Sequence, residues 1–293
     1  MTEKLRTKTT FRYGFAPNNI QKFRRFLAAF FIMVFRLNAN SNWATEVCQM
    51  LRPVSKVKFA DRELIFKSGH GRLKWRADTF YTEEPMMIEW LKTFTDSDVF
   101  LDVGANIGTY AIPAAVKGAR VLALELDPAN IYCLNSNICL NAVQSEITIV
   151  PIAASDTVSL QDIYYRDFSI GDALQSVGRE QILPTRRPAP YQIAQLSMPI
   201  DHIIAEFAFP QPNKIKIDVD GNEQIVVNGA WDTIRKAEEI YFEDNGLETD
   251  LEIIEKMRAL GFEIVKETPA IVGSVKSDIA RNLLLRRISN SAQ

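Results

Sequence analysis

Four short apolar runs in the sequence each lead into an acidic residue. Three of them end at Asp102, Glu125 and Asp218, and the fourth, over residues 239–243, leads into Glu-Asp-Asn. Helical patterns of about ten residues separate several of these runs, which is typical of βαβ units and a parallel sheet. Because ligands bind at the carboxyl ends of the strands in such a sheet, we expect the acids to face one crevice.

The segment DVGANIG, residues 102–108, joins the first of these strands to a helix. Gly104 permits the turn and lets a ligand approach the backbone, and Gly108 permits tight packing where the helix begins. The glycine spacing is G-x3-G, unlike the G-x-G-x-x-G motif that places a pyrophosphate on a helix N-terminus. With Asp102 and Asn106 beside the glycines, the segment predicts a cofactor that has an amino-acid tail and no phosphate.

The second and third strand ends predict the nucleoside part of that cofactor. Glu125 can accept hydrogen bonds from both hydroxyls of a ribose, as acids at this position do in other nucleoside-binding sheets. The third strand ends in AASD, residues 153–156, where small side chains could admit an adenine ring with Asp156 near its amino group. Alternatively, each acid could simply be a turn residue.

The fourth strand end supplies candidates for the acceptor side. Lys216 and Asp218 are two residues apart, so strand alternation places both on one face. Transfer of a group from such a cofactor to an acceptor would require alignment and a route for the acceptor proton, and the chain has only two histidines, His70 and His202. We therefore predict that Asp218 or Lys216 helps to deprotonate a hydroxyl. The alternatives are a packing role for Lys216 and a helix cap for Asp218.

A metal site is a less favoured alternative at the same strand ends. Asp218, Asp244 and Asn245 would supply hard oxygen ligands suited to Mg²⁺, which would acidify the acceptor hydroxyl. However, Asp-Asn-Gly is also an ordinary turn sequence. The preferred prediction for this site contains no metal.

In combination these motifs resemble the FkbM family of methyltransferases over roughly residues 80–265. The resemblance rests on DVGANIG at 102–108, Glu125, Asn141, AASD at 153–156 and KIDVDGNE at 216–223. It implies a Rossmann-like α/β fold, a seven-stranded and mostly parallel sheet with flanking helices, S-adenosylmethionine as donor and, typically, transfer to a hydroxyl oxygen. The chain departs from the family in reading Glu-Leu-Asp-Pro after the second strand, and Asp instead of Glu at residue 220.

Two other functions stay open at this point. One is an NAD-dependent oxidoreductase, which the glycine spacing disfavours, and the other is a catalytically silent module that binds a nucleoside cofactor. The net charge of −2 gives no reason to expect nucleic acid as a partner. We therefore predict a small-molecule hydroxyl acceptor, such as a sugar, a polyketide or a lipid, and no nucleic acid.

The flanking segments suggest the organisation of the chain. We expect a helical and β extension over residues 1–79, a methyltransferase domain over 80–293, and an insertion of hairpins and loops over 157–200 that carries substrate recognition. The apolar run at 26–35 is about half as long as a membrane-spanning helix. It predicts a helix buried against the domain or, alternatively, peripheral membrane contact through residues 20–36. Three cysteines in no metal or disulfide pattern favour a cytoplasmic or membrane-associated protein in a reducing compartment.

Overall fold

A computed structural model describes residues 19–37, 51–173, 175–179, 181–182, 187–272 and 275–288. The chain divides into two compact units, Met1–Arg52 and Pro53–Gln293. The second unit includes the β hairpin and the helix that precede residue 80. The domain boundary predicted at residues 79 and 80 stays a prediction, and residues 38–50 of the predicted N-terminal helical stretch lie outside the described residues.

Helices and strands of the described residues alternate from residue 85 to residue 150, and a run of short strands follows. The helices are α1 (Asn19–Leu37), α2 (Gly71–Asp78), α3 (Pro85–Lys92), α4 (Ala111–Val116), α5 (Pro128–Asn141), α6 (Ile200–Glu206), α7 (Glu223–Asn228), α8 (Trp231–Ile234) and α9 (Glu248–Ala259). The strands are β1 (Val54–Phe59), β2 (Arg62–Lys67), β3 (Val99–Val103), β4 (Arg120–Leu124), β5 (Ile147–Val150), β6 (Ala153–Ala154), β7 (Ser159–Tyr165), β8 (Ser176–Val177), β9 (Gln181–Ile182), β10 (Arg187–Pro188), β11 (Tyr191–Met198), β12 (Lys214–Ile217), β13 (Glu239–Asp244), β14 (Phe262–Val272) and β15 (Val275–Arg287).

Helix α1 is the described helix of the first unit. Its polar positions include Lys22, Arg24 and Arg25, and its apolar positions include the exposed side chains of Phe26 and Phe30. Among the described residues, no helix is both long enough and apolar enough to cross a membrane.

A seven-stranded sheet in the order β14-β15-β13-β12-β3-β4-β5 forms the centre of the second unit. Neighbouring strands from β13 to β5 pair in parallel, and β15 pairs antiparallel with both β13 and β14. The order reverses between β3 and β12, which is the switch point where ligands bind in open α/β sheets. The predicted Rossmann-like α/β class with a mostly parallel seven-stranded sheet is confirmed.

Strand alternation determines which side chains reach each face of this sheet. On β3, Phe100 enters one hydrophobic core, whereas Leu101 and Val103 enter the core on the opposite face. On β12, Ile215 and Ile217 share the face of Leu101. Because side chains alternate along a strand, Asp102 and Lys216 lie on the same face as Phe100, and they are register partners in the pairing of the two strands.

Two smaller β structures flank the main sheet. In the segment predicted as an insertion, β7 and β11 form an antiparallel pair within the four-stranded sheet β6-β11-β7-β8. The hairpin of β1 and β2 is fastened to α5 by asparagine side chains. Asn141 accepts a hydrogen bond from the Ile65 amide at 2.8 Å and donates to the Ile65 carbonyl at 2.7 Å. Asn137 accepts from the Lys67 amide at 2.9 Å.

Candidate active site

A cavity of about 330 Å³ opens at the carboxyl ends of the central strands. Its lining includes residues that follow β3, β4 and β12, and residues of α2, the helix before the sheet. The lining includes Arg72, Trp75, Arg76, Gly104, Glu125 and Asp218. The volume falls at the lower end of the range of about 300–1,000 Å³ that is typical of ligand sites. The crevice expected from the acidic strand ends is therefore present at the switch point of the sheet.

The turn after β3 has a backbone that requires glycine. Gly104 has a φ of +82°, and a Cβ atom there would collide with the main-chain oxygen of Asp218. Gly108 has a φ of +87°, and a Cβ there would meet the side chain of Leu134 on α5. Gly104 thus keeps the ends of β3 and β12 close together, and Gly108 allows the turn to pack on α5, outside the cavity lining.

Glu125 lies at the end of β4 and lines the cavity. Its Oε2 atom accepts a hydrogen bond from the Asn106 amide at 2.7 Å, and its Oε1 atom accepts one from the Asp127 amide at 2.7 Å. Burial raises the pKa of Glu125 to about 7, although these main-chain donors oppose the shift. The carboxyl group is therefore held in one orientation at the cavity wall.

Lys216 and Asp218 form an ion pair at the end of β12. The Lys216 Nζ atom lies 2.9 Å from Asp218 Oδ2 and 3.7 Å from Asp102 Oδ1, and its side chain is buried. Both Lys216 and Asp218 line the cavity, whereas Asp102 does not. Asp102 therefore contacts the lysine from within the protein, and its predicted role toward the cofactor could only be indirect in this arrangement.

The charges of this pair follow from its surroundings. Burial by itself would lower the pKa of Lys216, but the negative charges of Asp218 and Asp102 raise the pKa above its ordinary value. Burial would likewise raise the pKa of Asp218, but the charge and hydrogen bond of Lys216 lower it below its ordinary value. At neutral pH Lys216 is therefore an ammonium without a free lone pair, and Asp218 is a carboxylate.

Two further carboxyl groups line the cavity near Asp218. Burial and the charge of Asp218 raise the pKa of Glu84 to about 7. Burial, followed by the charges of Asp218 and Asp220, raises the pKa of Glu243 well above its ordinary value. The Glu243 side chain also forms a hydrogen bond with Asp218, which helps to lower the pKa of Asp218. Sequence reasoning missed Glu84. It counted Glu243 among the acidic strand ends but gave it no role, although strand alternation from Tyr241 places Glu243 on the face of Lys216.

The same alternation explains why the alternative metal set does not assemble. Asp244 points away from this face: its Oδ2 atom pairs with Arg281 Nε at 2.8 Å, and its Oδ1 atom accepts from the Gly246 amide. The Asn245 side chain donates to Glu223 at 3.1 Å and does not line the cavity. The carboxylates that do converge are those of Asp218, Asp220 and Glu243, whose oxygen atoms lie within 4.8 Å of one another.

Asp156 also lies elsewhere than expected. Its side chain is exposed and outside the cavity lining, because β6 leaves the main sheet and pairs in parallel with β11. The Ser155 amide donates to the Met198 carbonyl at 3.2 Å, which directs the chain toward the second sheet. Small and apolar side chains of the same region, Ile152 and Ala154, do line the cavity.

Asn106 has a left-handed backbone, with a φ of +49°, and connects the cofactor turn to a distant loop. Its amide donates to Glu125, and its side-chain Nδ2 atom donates to the Asp172 carbonyl at 2.8 Å. The Asp172 side chain is buried and forms ion pairs with Arg72 and with Arg166, the latter at 3.1 Å. No motif in the sequence pointed to Asp172, since the loop that carries it follows no regular pattern.

Comparison with known proteins gives a family match to the segment that contains most of this site. A model of the family described as Methyltransferase FkbM domain matches residues 102–264, more than half of the chain. The curated hexuronic acid methyltransferase AglP of Haloferax volcanii is 25% identical over 162 residues, which cover 55% of this chain and 62% of AglP. A tRNA (guanine(37)-N(1))-methyltransferase of Aedes aegypti is 37% identical over 93 residues, which cover 32% of this chain and 16% of that protein.

These matches span less than two thirds of either curated relative. Among solved structures, precorrin-6y C5,15-methyltransferase from Geobacter metallireducens GS-15 has a TM-score of 0.41 and 14% identity, and the match covers 72% of this chain and 93% of that one.

The prediction that nucleic acid is not a partner is wrong. It rested on a net charge of −2, and the curated relatives that match the chain include tRNA methyltransferases from several organisms. Net charge describes the whole chain and not the surface around one cavity, so it does not exclude a nucleic acid substrate.

Proposed function

The chain belongs to the FkbM methyltransferase family, and on that basis we propose that it transfers a methyl group from S-adenosylmethionine to a hydroxyl oxygen of a sugar. The observation that carries the proposal is the ionised carboxylate of Asp218, which lines the cavity and is held by Lys216 at 2.9 Å. The name of the relative AglP, a hexuronic acid methyltransferase, favours a sugar over a polyketide or a lipid.

The cofactor side of the cavity fits S-adenosylmethionine. Glu125 would accept hydrogen bonds from the ribose hydroxyls, Gly104 would allow the cofactor to approach the turn, and Ile152 and Ala154 would contact the adenine ring. When bound, the cofactor supplies an electrophilic methyl group on a sulfonium centre. The absence of a Cβ atom at Gly104 is what keeps this wall close to the end of β12.

On the acceptor side, Asp218 would orient the hydroxyl and take its proton. A carboxylate with a lowered pKa is a weak base, but the hydroxyl proton becomes more acidic as its oxygen forms the new bond to carbon. Lys216 would not accept a proton, because the neighbouring carboxylates keep it charged. We assign Lys216 the role of holding Asp218 ionised and in position, and Asp102 the role of balancing the charge of Lys216.

The proposal is tested by methyl transfer from labelled S-adenosylmethionine to a panel of acceptors. The panel contains hexuronic acids, neutral sugars and tRNA, and products are analysed by mass spectrometry and NMR to locate the methyl group. We expect a methyl ether on a sugar hydroxyl, and we expect Asp218→Asn to slow its formation by about 10²–10⁴-fold. The matched control is Asp232→Asn, since the Asp232 side chain is exposed and, among the described residues, forms an ion pair with Arg235 alone.

Two outcomes would contradict the proposal. The first is methylation of a base nitrogen in tRNA with no sugar modified, which would assign the chain a nucleic acid substrate. The second is a titration in which NAD binds and S-adenosylhomocysteine does not, which would indicate an oxidoreductase.

A further inference from the structure

Three arginines meet at the α2 wall of the cavity. Arg72 and Arg76 on α2 line the cavity one helical turn apart. Arg166, which directly follows β7, does not line the cavity but contacts the same carboxylate as Arg72. The carboxylate of Asp172, whose side chain is 1% exposed, pairs with both Arg72 and Arg166. One buried carboxylate therefore pairs with two of the three guanidinium groups, and Arg76 is the third.

The surroundings of Arg72 lower its pKa. Burial, followed by the charges of Arg166 and Arg76, lowers the pKa of Arg72, although Asp172 opposes the shift. A second acid of this loop, Asp167, makes a smaller contribution to the pKa of Arg72. Its side chain is exposed and accepts a hydrogen bond from Ser169 at 2.9 Å. An anion bound at this wall would relieve the repulsion between the arginines.

Arg76 is the arginine best placed to contact a ligand. Its Nε atom donates to the Gly171 carbonyl at 3.1 Å, which fixes the plane of the guanidinium group. Within the described part of the chain, Arg76 forms no ion pair, although Glu83 and Asp218 lie near enough to feel its charge. A half-buried guanidinium in a cavity wall, fixed at Nε and with its terminal nitrogens unpaired, matches the two oxygens of a carboxylate or phosphate.

Trp75 adds an apolar surface to the same wall. It is half-buried and lines the cavity beside Arg72 and Arg76. Trp75 and Arg76 follow Arg72 by three and four residues, which places all three side chains on one face of the helix. An aromatic ring beside two cationic forks suits a ligand that carries a ring and an anionic group. We call Arg72, Trp75 and Arg76 the arginine wall.

We infer that the arginine wall is an anion subsite of the cavity that binds a carboxylate or phosphate group. Two sources share this chemistry: an acidic group on the sugar acceptor, or the amino-acid carboxylate of the methyl donor. The inference rests on the proposed function only in treating the cavity as the methyl-transfer site. All three residues precede residue 102, so they lie outside the segment that the family model matches.

Calorimetric titration of the full chain distinguishes the two sources without requiring turnover. The first pair of ligands is S-adenosylhomocysteine and 5′-methylthioadenosine, which lacks the amino-acid carboxylate. The second set is glucuronate, glucose 6-phosphate and glucose, each titrated into protein saturated with S-adenosylhomocysteine. The variants are Arg76→Gln and Arg76→Lys, and the control is Lys74→Gln, which removes a cation from the solvent-facing side of α2 where it pairs with Asp78.

We expect Arg76→Gln to weaken binding of one anionic ligand by at least about tenfold, and Arg76→Lys to weaken it severalfold, because lysine keeps the charge but loses the fork. A loss with S-adenosylhomocysteine but not with methylthioadenosine assigns the subsite to the donor. A loss with glucuronate or glucose 6-phosphate, with S-adenosylhomocysteine unaffected, assigns it to the acceptor. Lys74→Gln should bind every ligand as the wild type does.

Unchanged affinity of the folded Arg76 variants for every anionic ligand would overturn the inference. If Arg76→Gln does not fold, as judged by circular dichroism, wild-type affinity in Arg76→Lys is sufficient to overturn it. Failure of the proposed function would be seen separately, as an absence of sugar methylation in protein whose anion binding still depends on Arg76.

Discussion

On the cofactor side of the cavity, Glu125 is fixed by two main-chain N–H groups, each at 2.7 Å, whereas on the acceptor side Asp218 is fixed by the side chain of Lys216. The first arrangement is local, because the donors lie on turns next to the strands. The second arrangement depends on side chains from several elements. They are Asp102 on β3, Lys216 on β12, Glu243 on β13 and Glu84 just before α3. The two sides should therefore respond to different substitutions, and we expect cofactor affinity and methyl transfer to be separable.

The largest combined effect on binding and transfer is expected at Gly104, where the two sides touch. Gly104→Ala should lower the affinity for S-adenosylhomocysteine and the rate of transfer by at least about a hundredfold each, because the new Cβ would push the β3 turn away from the end of β12. The matched control is Gly261→Ala, since Gly261 has a similar φ of +87° with no atom near the position of a Cβ. Calorimetry and a transfer assay measure both effects. Near-normal binding in Gly104→Ala would show that the two sides do not depend on this contact.

A large effect confined to the acceptor side is expected at Asp218. Asp218→Asn should reduce the transfer rate by about 10²–10⁴-fold, the range for loss of a general base, while affinity for S-adenosylhomocysteine changes less than about threefold. The measurement is a single-turnover assay with saturating cofactor, beside calorimetry of the same preparation. Transfer at the wild-type rate would exclude Asp218 as the proton acceptor and would make Glu84 the next candidate for that role.

An effect confined to the cofactor side is expected at Glu125. Glu125→Ala should raise the dissociation constant of S-adenosylhomocysteine at least about tenfold, since two ribose hydroxyls lose their acceptor. The control is Glu255→Ala, which removes an exposed glutamate that pairs with Arg258 on the surface of α9. Equal affinities in the two variants and the wild type would remove Glu125 from the cofactor site.

The pH dependence of binding sharpens the same assignment. The pKa of Glu125 is about 7 in the ligand-free protein, so raising the pH ionises the group and makes it a better acceptor. We expect the affinity for S-adenosylhomocysteine to increase up to about tenfold between about pH 6 and about pH 8. Calorimetry across this range checks the sign, and Glu125→Gln should show a flat profile. A wild-type affinity that falls with pH would contradict the role of an ionised Glu125.

The smallest effect is expected from metal removal. Lys216 already supplies a positive charge beside Asp218, so transfer should stay within about twofold of its original rate after exhaustive EDTA treatment. The assay compares treated protein with and without added Mg²⁺. A loss of activity that Mg²⁺ restores would instead favour a metal held by the converging carboxylates of Asp218, Asp220 and Glu243.

The contrast between the two sides also explains what could be predicted from the sequence. The strand, turn and helix around Gly104 form from neighbouring residues, so the glycine spacing and the apolar runs were sufficient to predict them. The two-residue spacing of Lys216 and Asp218 placed them on one face for the same reason. Asp156 was expected beside the cofactor but lies outside the cavity, because pairing of β6 with the distant strand β11 redirects the chain.

The arginine wall could not be predicted by such local patterns. Helix α2 is short and polar, and only one of its residues, Leu73, is buried. Its position depends on Gly171 and Asp172, which lie about a hundred residues later in a loop without regular structure. Because such contacts follow no fixed spacing in the sequence, no sequence pattern predicts them. Long-range contacts of single side chains determine this side of the cavity.

The most direct measurement is a paired comparison of Glu125→Ala and Asp218→Asn, with cofactor affinity and single-turnover transfer determined on the same preparations. We predict a crossed result: Glu125→Ala loses affinity for S-adenosylhomocysteine but transfers methyl groups when saturated, and Asp218→Asn binds the cofactor normally but does not transfer. Parallel losses of affinity and transfer in both variants would contradict the division of the cavity into a cofactor side and an acceptor side.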